Sequence, residues 1–494
     1  MSENPTIKIL LKSLFLIFLV SFWPVIHFVS INFSENLISH EIFLFGLIIF
    51  LLFSSIYFFC YLVLKLKKQI FLNFLILFIF TFFLFGGFEQ LVIQLNNTVE
   101  HSAKYAVFLQ LCTFVTLVKF IKDKNTLSIF LVVLWIFPIS KFLLNEKIKN
   151  FDIVEKSQVF DKSEFKNRHN IYYLVLDEYA REDVLKKYIQ IDNTSFLRKM
   201  QEKGFFYKSD SYSNFDDTPL SISTTLNMDY YTFNKGYDIN IIQNQSPIVQ
   251  TLNYQNYENI FVESGGNSQI VCNGEEDLCI KGGTINDDIA LLIKMTPFWR
   301  IMRSRYFYRY FESLYLLTDL EESIDKILKI YLKKNKNYFI FAHILSPHDP
   351  RRYNNDCSKY FSLNPGLGKQ SIDSYKIDLP CLNKSILRTV EQILTKDDSD
   401  PIIFITSDHG ISRSMLNYPS DELIRLKNLI LIKSPKKCEK FIEKDITPVN
   451  FMNFSISCLT ERKKKFVNNK HFIHNDQKNG LIEVTDQVIQ ERLK

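Results

Sequence analysis

Three short segments of this 494-residue chain combine carboxylates with imidazoles. Asp177-Glu178 follows one apolar run, Ser407-Asp408-His409-Gly410 follows a second, and residues 343–349 (HILSPHD) end a third. Carboxylates and imidazoles together suit a divalent metal of hard to borderline character. The Asp-His-Gly turn alone is equally compatible with a helix cap or a loop. Because three runs end in such residues, the sequence predicts a metal site.

A metal-dependent hydrolase or transferase also needs a nucleophile, and the candidate is Thr218 in the run Asp216-Asp217-Thr218-Pro219-Leu220-Ser221. The pattern predicts that Thr218 is a helix N-cap and that Pro219 is the first helical residue. A hydroxyl at a helix amino terminus lies beside free N–H groups, which favour an alkoxide and an incoming phosphate. The capping role and the catalytic role need the same geometry, so this motif alone decides neither.

Short apolar runs rich in Ile, Val, Tyr and Phe precede these residues, and stretches with helical patterns lie between the runs. This alternation predicts an α/β sandwich with a mostly parallel sheet, in which ligands bind at the carboxyl ends of the strands. The predicted strands are 170–177, 259–263, 338–345, 401–408 and 428–433, and the predicted helices are about 182–203, 218–228, 285–294, 316–334 and 382–396.

The first 150 residues have a different character, because they contain five apolar stretches of about the length that crosses a bilayer. These stretches are 9–30, 43–64, 70–88, 105–121 and 127–145. Five of them exclude a single cleaved signal peptide. We therefore predict a transmembrane domain over 1–150, a catalytic domain over 151–460 and a peripheral tail over 461–494.

Charge predicts the orientation of the chain and excludes one class of partner. Residues 1–150 hold 12 lysines against 7 acidic residues, which leaves 47 basic and 46 acidic residues for the remainder. The nearly neutral remainder argues against nucleic-acid binding. The lysines before the first stretch, between the second and third, and around the junction of the fourth and fifth predict a cytoplasmic amino terminus. Five crossings then place the residues beyond 150 on the extracytoplasmic side.

The cysteine distribution agrees with an oxidising compartment. Cys60 and Cys112 lie in apolar stretches, and the other six follow residue 150. Six cysteines allow fifteen pairings, and the pairing of neighbours closes the shortest loops. No CxxC spacing supports a thiolate metal site. We favour the disulfides Cys272–Cys279, Cys357–Cys381 and Cys438–Cys458.

The motifs between about residues 168 and 460 follow one another in an order that resembles the alkaline-phosphatase/sulfatase superfamily. The five apolar stretches make the chain similar to its membrane-anchored branch, which contains phosphoethanolamine and phosphoglycerol transferases. Sulfatases of this superfamily carry a cysteine, oxidised to formylglycine, in a CxPSR pattern. Thr218-Pro-Leu-Ser221 stands at that place here, so the resemblance implies a threonine nucleophile.

The resemblance also implies the metal ligands. These would be Asp177, with Glu178 as the second choice, together with Asp408, His409 and the Thr218 oxygen. They would hold one divalent ion, zinc first, with manganese or calcium as alternatives.

The same resemblance implies a substrate-binding set. His348 and His343 match the superfamily's substrate-phosphate histidines, with His348 the better match and a candidate catalytic residue. Arg181, Asn214 and Ser221 complete the expected set.

The implied reaction moves a phosphoryl headgroup from a membrane phospholipid to an envelope glycan or lipid, in the inner membrane of a bacterium with the catalytic domain in the periplasm. A hydrolase of phosphate or sulfate esters with the same fold is the first alternative, and a non-catalytic membrane sensor is the second. The segment 299–310 mixes aromatic residues with arginines. It is equally compatible with a position among lipid headgroups and with a docking helix packed on the globular domain.

Overall fold

A computed structural model describes most of the chain and divides it into two compact units. The first comprises Met1–Glu155 with Thr284–Tyr315, and the second comprises Lys156–Gly283 with Leu316–Lys494. The predicted boundary at 150 lies outside the described residues. The described residues are 5–32, 41–62, 68–96, 102–121, 123–148, 163–230, 242, 245–263, 271–272, 276–280, 289, 292–293, 295–302, 319–332, 336–348, 351–358, 372–416, 421–475 and 480–493.

The first unit is built from apolar helices. Within the described residues, Leu10–Ser30, Ile42–Leu62 and Ser102–Phe120 are long and apolar enough to cross a membrane. Three of the five predicted spans are thus confirmed by length and composition. The apolar stretch Asn125–Ser140 is shorter. The helices are α1 (Pro5–Asn32), α2 (Glu41–Leu62), α3 (Lys68–Phe82), α4 (Phe85–Asn96), α5 (Ser102–Phe120) and α6 (Lys124–Ile148).

The predicted span 70–88 is broken rather than continuous. The helix pair Ile70–Phe82 and Phe85–Val92 bends by 43° and counts as a fourth span only if both parts are taken together. The N–H of Gly86, in the first turn of α4, donates to the carbonyl of Met295 at 3.0 Å. This contact satisfies one of the donors that a helix start leaves without an intrahelical partner.

Part of the segment 299–310 packs within the first unit. A short helix, α11 (Phe298–Met302), buries Trp299 beside Ile293. The Nε of Arg300 donates to the Glu89 carboxylate at 2.9 Å, and the Ser102 hydroxyl donates to the same oxygen. The described part therefore packs against the apolar helices of the first unit, and its position among lipid headgroups or on the globular domain stays a prediction. Residues 303–310 lie outside the described residues.

The second unit contains a seven-stranded sheet in the order β2-β7-β6-β1-β5-β3-β4. Strand β1 lies between β5 and β6 and is parallel to both, and β3 and β4 extend the parallel part. On the other side, β7 pairs antiparallel with β6, and β2 pairs antiparallel with β7. All five predicted strands are confirmed. The strands are β1 (Ile171–Leu176), β2 (Phe206–Tyr207), β3 (Tyr257–Val262), β4 (Leu278–Ile280), β5 (Asn337–Ile344), β6 (Ile402–Thr406) and β7 (Ile430–Lys433).

Helices cover the sheet, and β1 and β6 are buried along their whole length. On one face Met200, Ile324 and Ile386 join the strand residues in a single core. Elsewhere the ring of Phe451 stacks on Phe404 of β6. The helices are α7 (Glu182–Val184), α8 (Thr194–Glu202), α9 (Thr218–Asn227), α10 (Pro247–Tyr254), α12 (Leu320–Lys326), α13 (Ile372–Lys396) and α14 (Phe451–Thr460).

The helix boundaries differ from the predicted ones in three places. The predicted helix 182–203 is interrupted where Gln190 adopts a left-handed conformation with a φ of 62°. The helix predicted from 382 begins ten residues earlier, at Ile372, and contains Pro380. Within the predicted helix 316–334, the described residues form α12 followed by the π-helical turn Ile327–Tyr331. Most of 285–294 lies outside the described residues.

The expected peripheral tail instead forms regular structure. Strands β8 (Phe472–Asn475) and β9 (Gly480–Glu483) pair antiparallel, and helix α15 (Thr485–Arg492) follows them. Val484 and Val488 bury their side chains against Tyr212 and Leu426. The sequence pattern does not predict this hairpin, because long-range packing and not a local strand pattern stabilises it.

The three predicted disulfides are present, namely Cys272–Cys279, Cys357–Cys381 and Cys438–Cys458, and Cys60 and Cys112 are free. We expect thiol titration of the denatured, unreduced full chain to give two thiols, because the other six cysteines are oxidised. Reduction should raise the count to eight. Four or more thiols before reduction, after expression in an oxidising compartment, would contradict this pairing.

Candidate functional site

The central three strands bring three of the predicted site residues together. His343 of β5 and Thr406 of β6 both pair with Val175 of β1, from opposite sides. Asp177 and Asp408 each lie two residues beyond that level along the chain. Because side chains alternate along a strand, both carboxylates lie at the same end of the sheet and on the same face. The prediction that polar groups converge at the carboxyl ends of the strands is confirmed.

Asp177, His343 and Asp408 form a compact cluster. One ligand atom of each lies within 4.8 Å of the others. The Nε2 of His343 is 3.6 Å from the Oδ2 of Asp177, which is too long for a hydrogen bond. All three side chains are buried. Asp177 Oδ1, Asp408 Oδ2 and both ring nitrogens of His343 have no hydrogen-bond partner in the described part of the chain.

Buried polar atoms without partners are rare in folded proteins, and a bound ion is one of the few arrangements that satisfies them together. The donor set of two carboxylates and an imidazole fits a divalent cation. Among the residues described, the cluster includes Asp177 and not Glu178. Glu178 instead has a φ of 61°, and its backbone N–H donates to Asp408 Oδ1 at 3.2 Å.

His409 links the cluster to the candidate nucleophile. Its Nδ1 lies 2.8 Å from the carbonyl oxygen of Gly410 and donates to it, because a carbonyl can only accept. In the neutral tautomer that this contact selects, Nε2 carries the lone pair, and it lies 3.2 Å from Thr218 Oγ1 and 3.4 Å from Asp408 Oδ2. A second nitrogen fixed by a carbonyl is typical of histidine ligands to metals. Thr218 and His409 thus lie beside the cluster, and their roles as metal ligands stay predictions.

Gly410 is required by a close approach of two backbones. A Cβ at this position would lie 2.5 Å from the carbonyl oxygen of Lys427 and 2.7 Å from that of Ile424. The Gly410 N–H donates to the carbonyl oxygen of Arg425 at 2.6 Å. This packing fixes the turn that carries Asp408 and His409.

The start of α9 differs from the prediction by one residue. Asp217 is the N-cap, and its carboxylate accepts from the N–H of Leu220 at 3.1 Å. Thr218 is the first helical residue, and Pro219 follows it in the first turn. The prediction that Thr218 caps the helix is therefore wrong. A carboxylate performs the capping, so the Thr218 hydroxyl faces His409.

Electrostatics supports a cation at the cluster. Burial raises the pKa of Asp177 well above its usual range, and the charges of Asp408 and Glu178 raise it further. Burial also raises the pKa of Asp408, but His409 and His343 outweigh that effect and bring it below its ordinary value. Burial lowers the pKa of His343 to about 4, so this imidazole is neutral. A divalent cation would allow both carboxylates to ionise.

The residues predicted to bind substrate have mixed locations. The half-buried His348 adjoins the cluster, since its N–H donates to the Asp177 carbonyl at 3.3 Å. His343 lies among the candidate metal ligands rather than outside them. The Ser221 hydroxyl donates to the carbonyl of Asp408 at 2.6 Å and so ties α9 to the turn that carries Asp408 and His409. Their contacts with substrate stay predictions.

Arg181 and Asn214 have structural partners. The guanidinium of Arg181 pairs with both carboxylate oxygens of Asp183 and donates to the carbonyl of Ser211. The Asn214 amide donates to Tyr230 Oη and to the carbonyl of Lys470. These contacts hold the loop before Thr218 and do not support a role in substrate binding.

Two groups near the site escape sequence reasoning. The positive charges of Arg425 and Arg352 lower the pKa of Asp177, against the effect of burial. The Nε of Arg425 donates to the carbonyl of Asp216, and the Asp216 side chain accepts from Nδ1 of His474 at 2.8 Å. No motif marks Arg425, Arg352 or His474, because they come from a 3₁₀ turn, from the loop after β5 and from the C-terminal hairpin.

Comparison with known proteins identifies the family. Residues 169–459, more than half of the chain, match the family model described as Sulfatase. The chain therefore belongs to the sulfatase family and is an enzyme of sulfatase-family transferase or hydrolase type. No curated protein sequence matches it.

Several solved structures resemble it weakly. The C-terminal periplasmic domain of EcEptC from Escherichia coli, in complex with Zn, has 12% identity and a TM-score of 0.41, covering 65% of this chain and 94% of its own. The integral membrane protein lipooligosaccharide phosphoethanolamine transferase A (EptA) from Neisseria meningitidis has 11% identity and a TM-score of 0.40, covering 90% of this chain and 95% of its own. The lipoteichoic acid synthase LtaP from Listeria monocytogenes has 11% identity and a TM-score of 0.42, and the match covers 63% of this chain and 81% of the LtaP chain.

Proposed function

We propose that this chain is a membrane-bound, metal-dependent transferase of phosphoryl headgroups, of the phosphoethanolamine or phosphoglycerol type. The observation that carries the proposal is the Thr218 hydroxyl, in the first turn of α9, 3.2 Å from His409 beside the cluster of Asp177, His343 and Asp408. A threonine in place of a formylglycine precursor favours phosphoryl transfer over sulfate-ester hydrolysis.

The chemistry assigns the bond changes to Thr218. Its Oγ attacks the phosphorus of a phosphodiester, an O–P bond forms, and the bond from phosphorus to the diacylglycerol oxygen breaks. His348 stabilises the phosphoryl oxygens or protonates the departing alkoxide. An acceptor hydroxyl then attacks the phosphothreonine, takes the headgroup and restores the Thr218 hydroxyl.

The metal would be held by Asp177, Asp408, His409 and the Thr218 oxygen, with His343 as an additional candidate. Zinc suits carboxylate and imidazole donors, and manganese or calcium are the alternatives. When bound, the ion lowers the pKa of the threonine hydroxyl and neutralises charge that develops on the phosphoryl group. Glu178 would support the site through its backbone contact with Asp408.

The apolar helices support a phospholipid as donor and an envelope lipid or glycan as acceptor. Lys8 and Lys12 precede most of the first apolar stretch, which supports a cytoplasmic amino terminus. Three disulfides in the second unit suit an oxidising compartment. We place the enzyme in a bacterial inner membrane, with the second unit in the periplasm.

A headgroup-transfer assay tests this proposal. The purified full chain, loaded with zinc, is given a phospholipid labelled in its headgroup, with and without extracted envelope glycolipid. We expect label on the glycolipid and little free headgroup in its absence. Free headgroup released equally fast without glycolipid would favour the hydrolase, and zinc binding with no turnover would favour the sensor.

A further inference from the structure

We propose that the C-terminal hairpin completes the active site, and that His474 is a positioning residue that acts through Asp216 on the Thr218 loop. This inference rests on the proposed function for its chemical meaning, but its structural part stands on separate contacts. The sulfatase match ends at residue 459, so the hairpin lies beyond the matched region.

The hairpin and the residue before it contact three successive residues, 213–215, of the loop that precedes Thr218. The N–H of Phe472 donates to the carbonyl of Asn214 at 2.9 Å. The rings of Phe472 and Phe215 stack with centroids 5.1 Å apart and planes 9° from parallel. The Nδ1 of His471 donates to the carbonyl of Ser213 at 2.8 Å. Residues 213–215 are thus fixed from the hairpin side.

His474 makes the contact nearest to the nucleophile. Its backbone N–H lies 3.1 and 3.0 Å from the two carboxylate oxygens of Asp216, and its Nδ1 lies 2.8 Å from Oδ1. The Asp216 residue is largely buried, at 8% exposure, whereas the His474 residue is exposed. A buried carboxylate needs such donors, because leaving it short of partners is costly.

Asp216 connects this contact to the rest of the site. Its carbonyl accepts from the Nε of Arg425, whose own carbonyl accepts from the Gly410 N–H of the metal-binding turn. Asp216 therefore joins the hairpin to that turn two residues before Thr218. A misplacement of about 1 Å in a reacting group can cost about a hundredfold in rate, so this brace would act on kcat.

The test compares His474→Ala with His474→Asn in the full-length enzyme. Alanine removes the ring donor, whereas the asparagine amide can still donate to Asp216. We expect His474→Ala to lower kcat about tenfold to a hundredfold, with KM within about twofold and the zinc content unchanged. His474→Asn should recover most of the lost kcat. The exposed Gln487→Ala on α15 is the control and should match the wild type.

A second readout does not depend on turnover. Hydrogen exchange of peptides covering 211–218, followed by mass spectrometry, should be faster in His474→Ala than in the wild type and in Gln487→Ala. The positioning role would be overturned by an exchange rate in His474→Ala equal to that of the wild type. It would also be overturned by a kcat of His474→Asn as low as that of His474→Ala. A wild-type enzyme that moves no headgroup, but whose alanine variant exchanges faster, would refute the proposed function alone.

Discussion

Thr218→Ala is expected to abolish headgroup transfer, with a fall in kcat/KM of at least about a thousandfold, because no other group replaces a covalent nucleophile. The fold should survive. Asp217 provides the N-cap, and alanine is a good residue in a first helical turn. Steady-state kinetics on the full chain and a thermal melt in the same detergent measure both parts of the expectation.

Two control variants make this result specific. Thr218→Ser keeps a hydroxyl and should retain measurable transfer. Ser223→Ala, which removes a buried hydroxyl from the same helix, should leave the rate near that of the wild type. If Thr218→Ala transfers headgroup at the wild-type rate, another group is the nucleophile.

Asp408→Asn is expected to lose the metal together with the activity. The Oδ1 of Asp408 accepts from the N–H groups of Glu178 and His409, which fixes the orientation of the carboxyl group. An asparagine that keeps these bonds must place its NH₂ where Oδ2 lies, and that group donates rather than accepts. Elemental analysis should show about one zinc per wild-type chain and less than a tenth of that in the variant.

Asp397→Asn is the matched control for a buried aspartate. Asp397 accepts from Asn170 and Tyr172 at the opposite end of the sheet from the cluster. It should lose some stability and keep its zinc. Equal zinc in the wild type and in Asp408→Asn would contradict the ligand assignment.

The sequence predicts five of the seven strands and places Asp177 and Asp408 of the candidate cluster at strand ends. Strands such as Ile402–Thr406 are buried on both faces, and this leaves a continuous apolar run that can be read directly. Asp177 and Asp408 follow such runs, so the topology of a parallel sheet brings them together without further information. The helix cap was misplaced by one residue, because Asp217 and Thr218 are both suitable caps.

The remaining errors come from contacts between distant parts of the chain. The location of His343 in the candidate cluster depends on the register of β5 against β1, which no local pattern specifies. The hairpin of the C-terminal segment is stabilised by its contacts with residues 213–216, about 250 positions away. The break in the span 70–88 has its partner at Met295. The periodicity of a single segment cannot predict these long-range contacts.

The central claim is that Thr218 carries the headgroup during the reaction. The most direct measurement is peptide mass spectrometry of the segment containing Thr218, after the zinc-loaded enzyme is incubated with phospholipid, without acceptor, and quenched in acid. We expect a phosphoryl-headgroup adduct on Thr218 and none in Thr218→Ala. Headgroup turnover with an adduct on a different residue, or with Thr218 unmodified at every quench time, would contradict the account.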